Sequence, residues 1–587
     1  MNVESSWRYT LLGVLVSFLP LLIVLKMVLI QTNPGQIEAL LNQQKIYSGQ
    51  LQVFRPARGK IMDRWGHLLA GNNTVYEVGV ELNQMRNPET IALTAELVLG
   101  MDQSKAMSMI NEGLQEGLVR VVLQDFVTQD KVLLLDKLKK QMQEESADNG
   151  GSNAPSLAGL ESIAHLMRTY PEKALASNVL GFVAGSGQGY FGVEEKYDNL
   201  LAGKAKTVWV PLDPNLIQEI PEAPEGASLI LTLDRSIQAS IENILDRALE
   251  NTGADSGTIV VLDPRSGELL AMATTPRLDL NDYSRYLDLF DNSTPFNRAV
   301  SQAYEPGSVY KVLTMAAGLD SGSVEPQTVF LDTGVFEIGG TYIYNWNSGA
   351  WGPQDMTGCL QHSLNVCMAW VASETGAKDF YSYMRAFGIG HLTGVDLAGE
   401  VAGRLKLPGD EDWYDADLGT NAFGQGVSTT PLQMATAVSA IANEGKMMAP
   451  HIVRSMVNKG YQYDIEQRVI GTPISTDTAK TLSEMLAQSL EIESSDALVT
   501  GYRVAGKTGT AEIPTPFGYT SNQTNASFVG WGPVDDPRFL VYVWLERPAT
   551  SIWGSEVAAP VFREVVEKLV VLLDLPPDDV RLKLYGQ

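Results

Sequence analysis

Hydrophobic positions along this chain fall into three regimes. From Tyr9 to Leu25 there are 17 consecutive residues without a charge, and after Lys26 the apolar run resumes as far as Ile30. The 22 residues 9–30 are enough for one bilayer crossing as a helix. Lys26, near the outer end, can reach toward the headgroups along its own stem. No small-residue cleavage site follows in Gln31-Thr32-Asn33-Pro34, so the segment reads as an uncleaved anchor. Arg8 and the amino terminus make residues 1–8 a short, positive, cytoplasmic tail. No other segment reads as a span, so the rest of the chain is expected on the outer face of the cell membrane.

The second regime, residues 31–220, has short β-like runs such as Val75–Val80 and few sharp helical periods. Within it, 144–156 (EESADNGGSNAPS) combines acid, Gly, Ser, Asn and Pro, and is expected to be a mobile loop inserted into a patterned domain. A Pro- and Glu-rich stretch at Gln218–Gly226 marks the boundary to a third regime, residues 221–587. There a strand is predicted at 229–234, followed by a helix over 236–250 with Ile237, Ile241, Ile244, Leu245 and Ala248 on one face. Strands at 257–264 and 267–274 flank a Pro-Arg-Ser-Gly turn, and further strands are predicted at 503–512, 525–534 and 538–546, with a closing helix near 556–573. Hairpin-linked strands between helices predict an α+β fold, an antiparallel sheet sheltered on both sides.

Composition narrows the function more than the fold. The formal net charge is −26, with acid spread along the chain. Nucleic acid is not a partner, because phosphate binding needs clustered Lys and Arg. Five histidines and two cysteines show no metal-ligand spacing, and neither a phosphate-binding nor a dinucleotide-binding glycine motif is present, so no metal and no cofactor is predicted. Cys359 and Cys367 are expected to be free, buried thiols, since they could meet only if the chain reversed at 363–365.

The chemistry lies in three short motifs. Pro306-Gly307-Ser308-Val309-Tyr310-Lys311 opens a helical run, and Ser308 and Lys311, three apart, share a helix face. At a helix start the free N–H groups and the dipole favour developing negative charge on Ser308. A serine needs a base, and a lysine serves only when neutral, so burial and a second cation would have to bring it down from about 10.4. A Ser-x-x-Lys alone is weak, since roughly one or two arise by chance in a chain of this length. Ser363-Leu364-Asn365, at a junction of two helical runs, adds a hydroxyl relay and an amide. Lys507-Thr508-Gly509-Thr510, in a strand, adds a cation and hydroxyls for a carboxylate, with Gly509 leaving room for a ligand to approach the backbone. Ser363 and Lys507 follow Ser308 by 55 and 199 residues.

These motifs, in this order, match the set shared by penicillin-recognising serine enzymes, and the chain resembles a class B penicillin-binding protein over about residues 57–570. ARGKIMDRWGHLLA (57–70) and VLGFVAGSGQGYFGVEEKYDNLLAG (179–203) resemble signatures of the family's non-catalytic, dimerisation-type pedestal. LTLDRSIQ, IVVLDPRSGELLAMATTP, FGQGVSTTPLQMA and SIWGSEVAAPVF resemble landmarks of its transpeptidase domain. The resemblance implies a peptidoglycan D,D-transpeptidase with Ser308 as the acylated nucleophile, Lys311 as base and Ser363 as proton relay. It also implies Asn365, Lys507, Thr508, Gly509 and Thr510 as substrate-binding residues, and the N–H groups of Ser308 and Thr510 as the oxyanion hole. Implied partners are peptidoglycan stem peptides, β-lactams and a membrane glycan polymerase of the shape or division family. SFVGWGPVDDPRFLVYVWLERP (527–548) looks more like the division and sporulation branch than the elongation branch. His362 is expected to be structural, and Glu512 an exposed carboxylate at a strand end. A catalytically inactive scaffold, or a penicillin-hydrolysing or sensing relative, is the alternative; the intact motifs oppose the first and the 57–203 segment opposes the second.

Overall fold

The computed structural model describes residues 6–34, 49–54, 56–149, 155–211, 224–493, 495–515 and 518–585. By internal contacts the chain divides into two units, Met1–Ala57 with Gly203–Gly226, and Arg58–Ala202 with Ala227–Gln587. The smaller unit contains the apolar helix Ser6–Thr32 and an antiparallel pair of strands, Gly49–Phe54 with Lys206–Pro211. Trp7–Leu29 of that helix is long and apolar enough to cross a membrane. Its one hydroxyl in the middle, Ser17, donates back to Gly13 O at 2.7 Å, which removes an unpaired donor from an apolar surface.

In the larger unit, five antiparallel strands form one sheet in the order Leu269–Thr274, Ser256–Leu262, Phe539–Glu546, Gly518–Gly532, Ala505–Thr515. The central strand FLVYVWLE is apolar from Phe539 to Leu545 because both its faces are covered. Phe539, Val541, Val543 and Leu545 pack with Ile237, Ile241 and Leu245 of helix Arg235–Thr252 and with Phe562 and Val565 of helix Ala559–Leu572. Leu540, Tyr542 and Trp544 point the other way, into a core with Val312 and Met315 of helix Lys311–Asp320 and Leu432 and Ala435 of helix Pro431–Ala442. Helix Arg235–Thr252 starts where it does because Asp234 accepts from the N–H groups of Ser236 and Ile237, at 2.8 and 3.1 Å.

A second sheet joins distant parts of the sequence. Tyr461–Asp464, Val453–Asn458, Ser228–Leu231, Ile61–Met62, Leu68–Glu81 and Arg120–Val127 lie in that order, and Leu160–Thr169 also pairs with Leu68–Glu81. Ile61–Met62 runs parallel to Ser228–Leu231, so one sheet carries strands from both sides of position 221. Its N-terminal part packs Val78, Val80, Val121 and Leu123 on Ile91, Ala106 and Ile110. Close by in sequence, Glu194 is fully buried and accepts from Arg58 Nε and Arg168 Nε, each at 2.7 Å, and from Tyr170 OH at 3.2 Å.

One sequence expectation changes here in part, and another falls largely outside the described residues. Of the loop expected at 144–156, residues 144–149 are the last part of helix Gln129–Asn149, while 150–154 lie outside the described residues. Most of the boundary stretch 218–226 lies outside them too, the description resuming at residue 224.

Candidate active site

The run opened by Pro306-Gly307 is helical, but its first turn, Gly307–Tyr310, is 3₁₀ and only Lys311–Asp320 is α-helix. Gly307 has φ +60°, and a Cβ there would lie 2.8 Å from Ala511 Cβ and 2.9 Å from Thr510 O. The glycine thus lets the turn bearing Ser308 press directly onto the Lys-Thr-Gly strand. Gly509 does the same from the other side: a Cβ would meet Ser527 Oγ at 2.2 Å and Val309 Cγ1 at 2.9 Å. Its vacant side is filled by the serine turn and the neighbouring strand, rather than kept open for ligand as the sequence suggested. Ser308 itself is half-buried.

Lys311, in the first turn of the α-helix, is fully buried. Its Nζ donates to Ser363 O at 2.6 Å, Ser363 Oγ at 3.1 Å and Asn365 Oδ1 at 2.7 Å. All three acceptors are uncharged. Burial first, and the nearby Lys507 cation second, hold the Lys311 ammonium well below the ordinary lysine range. Lys507 is also buried and is brought down to about 8 by burial, against the opposing pull of Glu493. Burial thus pushes both amines toward the neutral form, and at Lys311 a like-charged neighbour adds to it, the setting in which a lysine can accept a proton.

Ser363 reaches Lys311 through an unusual turn. Helix Met356–Gln361 ends with Ser363 N–H on Leu360 O at 3.1 Å and Leu364 N–H on Cys359 O at 3.0 Å, a Schellman closure. The left-handed position that such a closure normally gives to glycine is occupied by Ser363, at φ +52°. A non-glycine residue there costs about 1 kcal/mol, a strain retained where a side chain is needed. The reversal also brings the two cysteines together. Cys359 and Cys367 form a disulfide with Cα atoms 6.1 Å apart, so they are not the free thiols expected; the chain does reverse at 363–365, into helix Asn365–Thr375.

Thr508 and Thr510 are half-exposed and alternate with buried Lys507 and Gly509 along the edge strand Ala505–Thr515. Lys507 Nζ lies 3.2 Å from Thr508 Oγ1. Thr510 Oγ1 accepts from Gly554 N–H at 3.0 Å, which leaves its own proton free to donate to an anion. His362 stacks on Trp351, ring centroids 3.9 Å apart, and burial lowers its pKa. Glu512 sits within the strand, half-buried beside a register shift, and not at an exposed strand end.

Two tryptophans that the sequence reading did not single out also lie at the site. Trp346 donates its indole N–H to His362 O at 3.2 Å and meets Trp553 edge-on, with centroids 5.1 Å apart. Trp553 directly precedes Gly554, so the pair links the wall bearing Ser363 to the wall bearing Thr510. The SIWGSEV signature was the available signal for Trp553.

Comparison with known proteins places this geometry. Residues 257–567 match the family model described as penicillin binding protein transpeptidase domain, and 54–215 match the penicillin-binding protein dimerisation domain. The chain is 30% identical over 539 residues to stage V sporulation protein D of Bacillus subtilis, covering 89% of this chain and 79% of that protein. It is 27% identical over 543 residues to the probable peptidoglycan D,D-transpeptidase PenA of Neisseria meningitidis, covering 90% of this chain and 86% of the relative. The crystal structure of penicillin binding protein 3 of Mycobacterium tuberculosis complexed with aztreonam superposes with a TM-score of 0.68 at 26% identity, over 90% of this chain and 98% of that one. With both domain matches in order and the buried lysine, serine and asparagine gathered at the helix junction, the chain belongs to the class B penicillin-binding proteins.

Proposed function

We propose that this chain is a membrane-anchored peptidoglycan D,D-transpeptidase working from the outer face, and that Lys311 is its base. The carrying observation is the buried Lys311 amine on three uncharged acceptors, lowered by burial and by Lys507. In the neutral state it takes the proton of Ser308 as Oγ attacks the carbonyl of the penultimate D-Ala. The oxyanion forms against the N–H groups of Ser308 and Thr510, each typically worth a few kcal/mol. Ser363, hydrogen-bonded to Lys311, passes the proton to the departing D-Ala amine as the C–N bond breaks. The ester on Ser308 is then attacked by an amine of a neighbouring stem peptide, and Ser308 recovers its proton.

Substrate binding follows the same geometry. The donor peptide lies along the free edge of strand Ala505–Thr515, with its carboxylate on Thr508 and Thr510 in the field of Lys507 and its amide on Asn365. β-Lactams acylate the same serine. The polymerase partner is a membrane glycan polymerase of the shape or division family, and the sporulation relative favours the division and sporulation branch. The test is donor turnover with and without an acceptor amine. Amine-dependent D-Ala release with a long-lived penicillin adduct is expected; rapid hydrolysis of both would make the protein a hydrolase instead.

A further inference from the structure

The amide of Asn365 is held at both ends, by Lys311 Nζ on its oxygen and by its own donation to Tyr344 O at 3.1 Å. The residue after Tyr344 is Asn345, which is buried and points back to the same helix start. Asn345 Oδ1 accepts from Val366 N–H at 3.2 Å. That N–H belongs to the first turn of helix Asn365–Thr375, whose N-cap residue, Leu364, has no side chain able to cap it. A cap supplied from a distant segment takes the place of a local one.

Asn345 is in turn fixed by Asp332. Its Nδ2 donates to Asp332 Oδ2 at 2.8 Å and to Gly349 O at 3.1 Å. Asp332 is almost fully buried and also accepts from Gly334 N–H at 3.0 Å and Trp351 N–H at 2.9 Å. A buried carboxylate satisfied by three N–H donors is a rigid anchor. The consecutive residues Tyr344 and Asn345 thus grip the Asn365 side chain and the N–H of the residue after it.

We infer that Asn345, anchored by Asp332, is a positioning residue for acylation: it sets the start of the helix that presents Asn365, and through it the seat of Lys311. The inference rests on the proposed roles of Lys311 and Ser308. All three acceptors of Lys311 Nζ, on Ser363 and Asn365, sit at the helix junction that Asn345 steadies. A displacement of the order of 1 Å there is enough to cost about a hundredfold in rate.

The experiment is stopped-flow acylation by a reporter penicillin, resolving affinity before acylation, the acylation rate constant, and the fraction of protein labelled at completion. For Asn345→Ala, the acylation rate constant is expected to fall about tenfold to a hundredfold with the labelled fraction at completion unchanged. Asp332→Asn, which keeps the shape of the anchor and removes its charge, is expected to show a smaller fall in the same constant. A merely structural role predicts the opposite split, with a smaller labelled fraction reacting at the wild-type rate, and that outcome in either variant overturns the inference. So does a wild-type rate in both. If the wild-type protein fails to label at all, the proposed function fails instead, so the two failures are distinguishable.

Discussion

Glu194 in the N-terminal part of the larger unit and Lys311 in the transpeptidase domain are both fully buried ionisable groups, and their surroundings differ in kind. Glu194 is met by two guanidinium groups and a phenol. Lys311 is met by neutral oxygens and a second lysine, and among the described residues no carboxylate accepts from its amine. A buried charge that is fully paired is held by its partners and serves structure. One placed against neutral acceptors beside a like charge is pushed toward neutrality, and serves proton transfer. The same burial yields a tie in one place and the proposed base in the other.

The comparison breaks most visibly by substitution at the two lysines. Lys311→Arg keeps a cation that cannot lose its proton, so penicillin acylation should fall by about 10²–10⁴. Lys507→Arg keeps the field around the carboxylate site and should retain part of the activity. Equal losses in the two variants, measured as acylation rate constants, would show that the roles are wrongly divided. At the other cluster, Glu194→Gln leaves two buried guanidinium groups undercompensated and should cost about 3–5 kcal/mol in denaturant unfolding. The acylation rate constant of the folded fraction should stay unchanged; a fall there would erase the contrast between a structural and a catalytic buried charge.

Smaller effects sharpen it. The disulfide closes a loop of sequence separation 8, so Cys359→Ser with Cys367→Ser should lower stability by about 2–3 kcal/mol, read from thermal melts of oxidised and reduced protein. The pH profile is the finest test. Lys311 is active when neutral, so acylation should rise with pH through its lowered pKa. Lys507 is useful when charged, and its charge is present below about 8 and lost above it, so acylation by a carboxylate-bearing penicillin should decline beyond that point. Lys507→Arg should move this alkaline limb upward; an unmoved limb would assign it to another group.

Much of this was legible in the sequence because the signal was local. Phe539–Leu545 reads as a strand from its unbroken apolar run, and Ile237 to Ala248 mark a one-faced helix. Ser308, Lys311, Ser363 and Asn365 were named by motif, and the contacts of Lys311 with Ser363 and Asn365 follow them. What was not legible depends on chain reversals and distant pairings. The reversal at Ser363 carries no glycine, so nothing announced a left-handed turn, and with it the cysteine pair was misread. Asn345 caps a helix 21 residues onward, and Ile61–Met62 pairs with Ser228–Leu231 across most of the intervening domain. Neither relation has a periodicity to read. Acidic, Gly-rich composition also outweighed helix propensity at 144–149, where helix Gln129–Asn149 simply runs on.

Ser308 is proposed as the nucleophile that the buried lysine activates. Incubating the protein with benzylpenicillin and following intact mass, then mapping the modified peptide, tests it most directly. The account predicts one long-lived penicilloyl group per chain, on the peptide containing Ser308, and none on the Ser308→Ala variant, whose acylation should be slower by on the order of 10⁶. An adduct on another residue, or one that survives in Ser308→Ala, would contradict it.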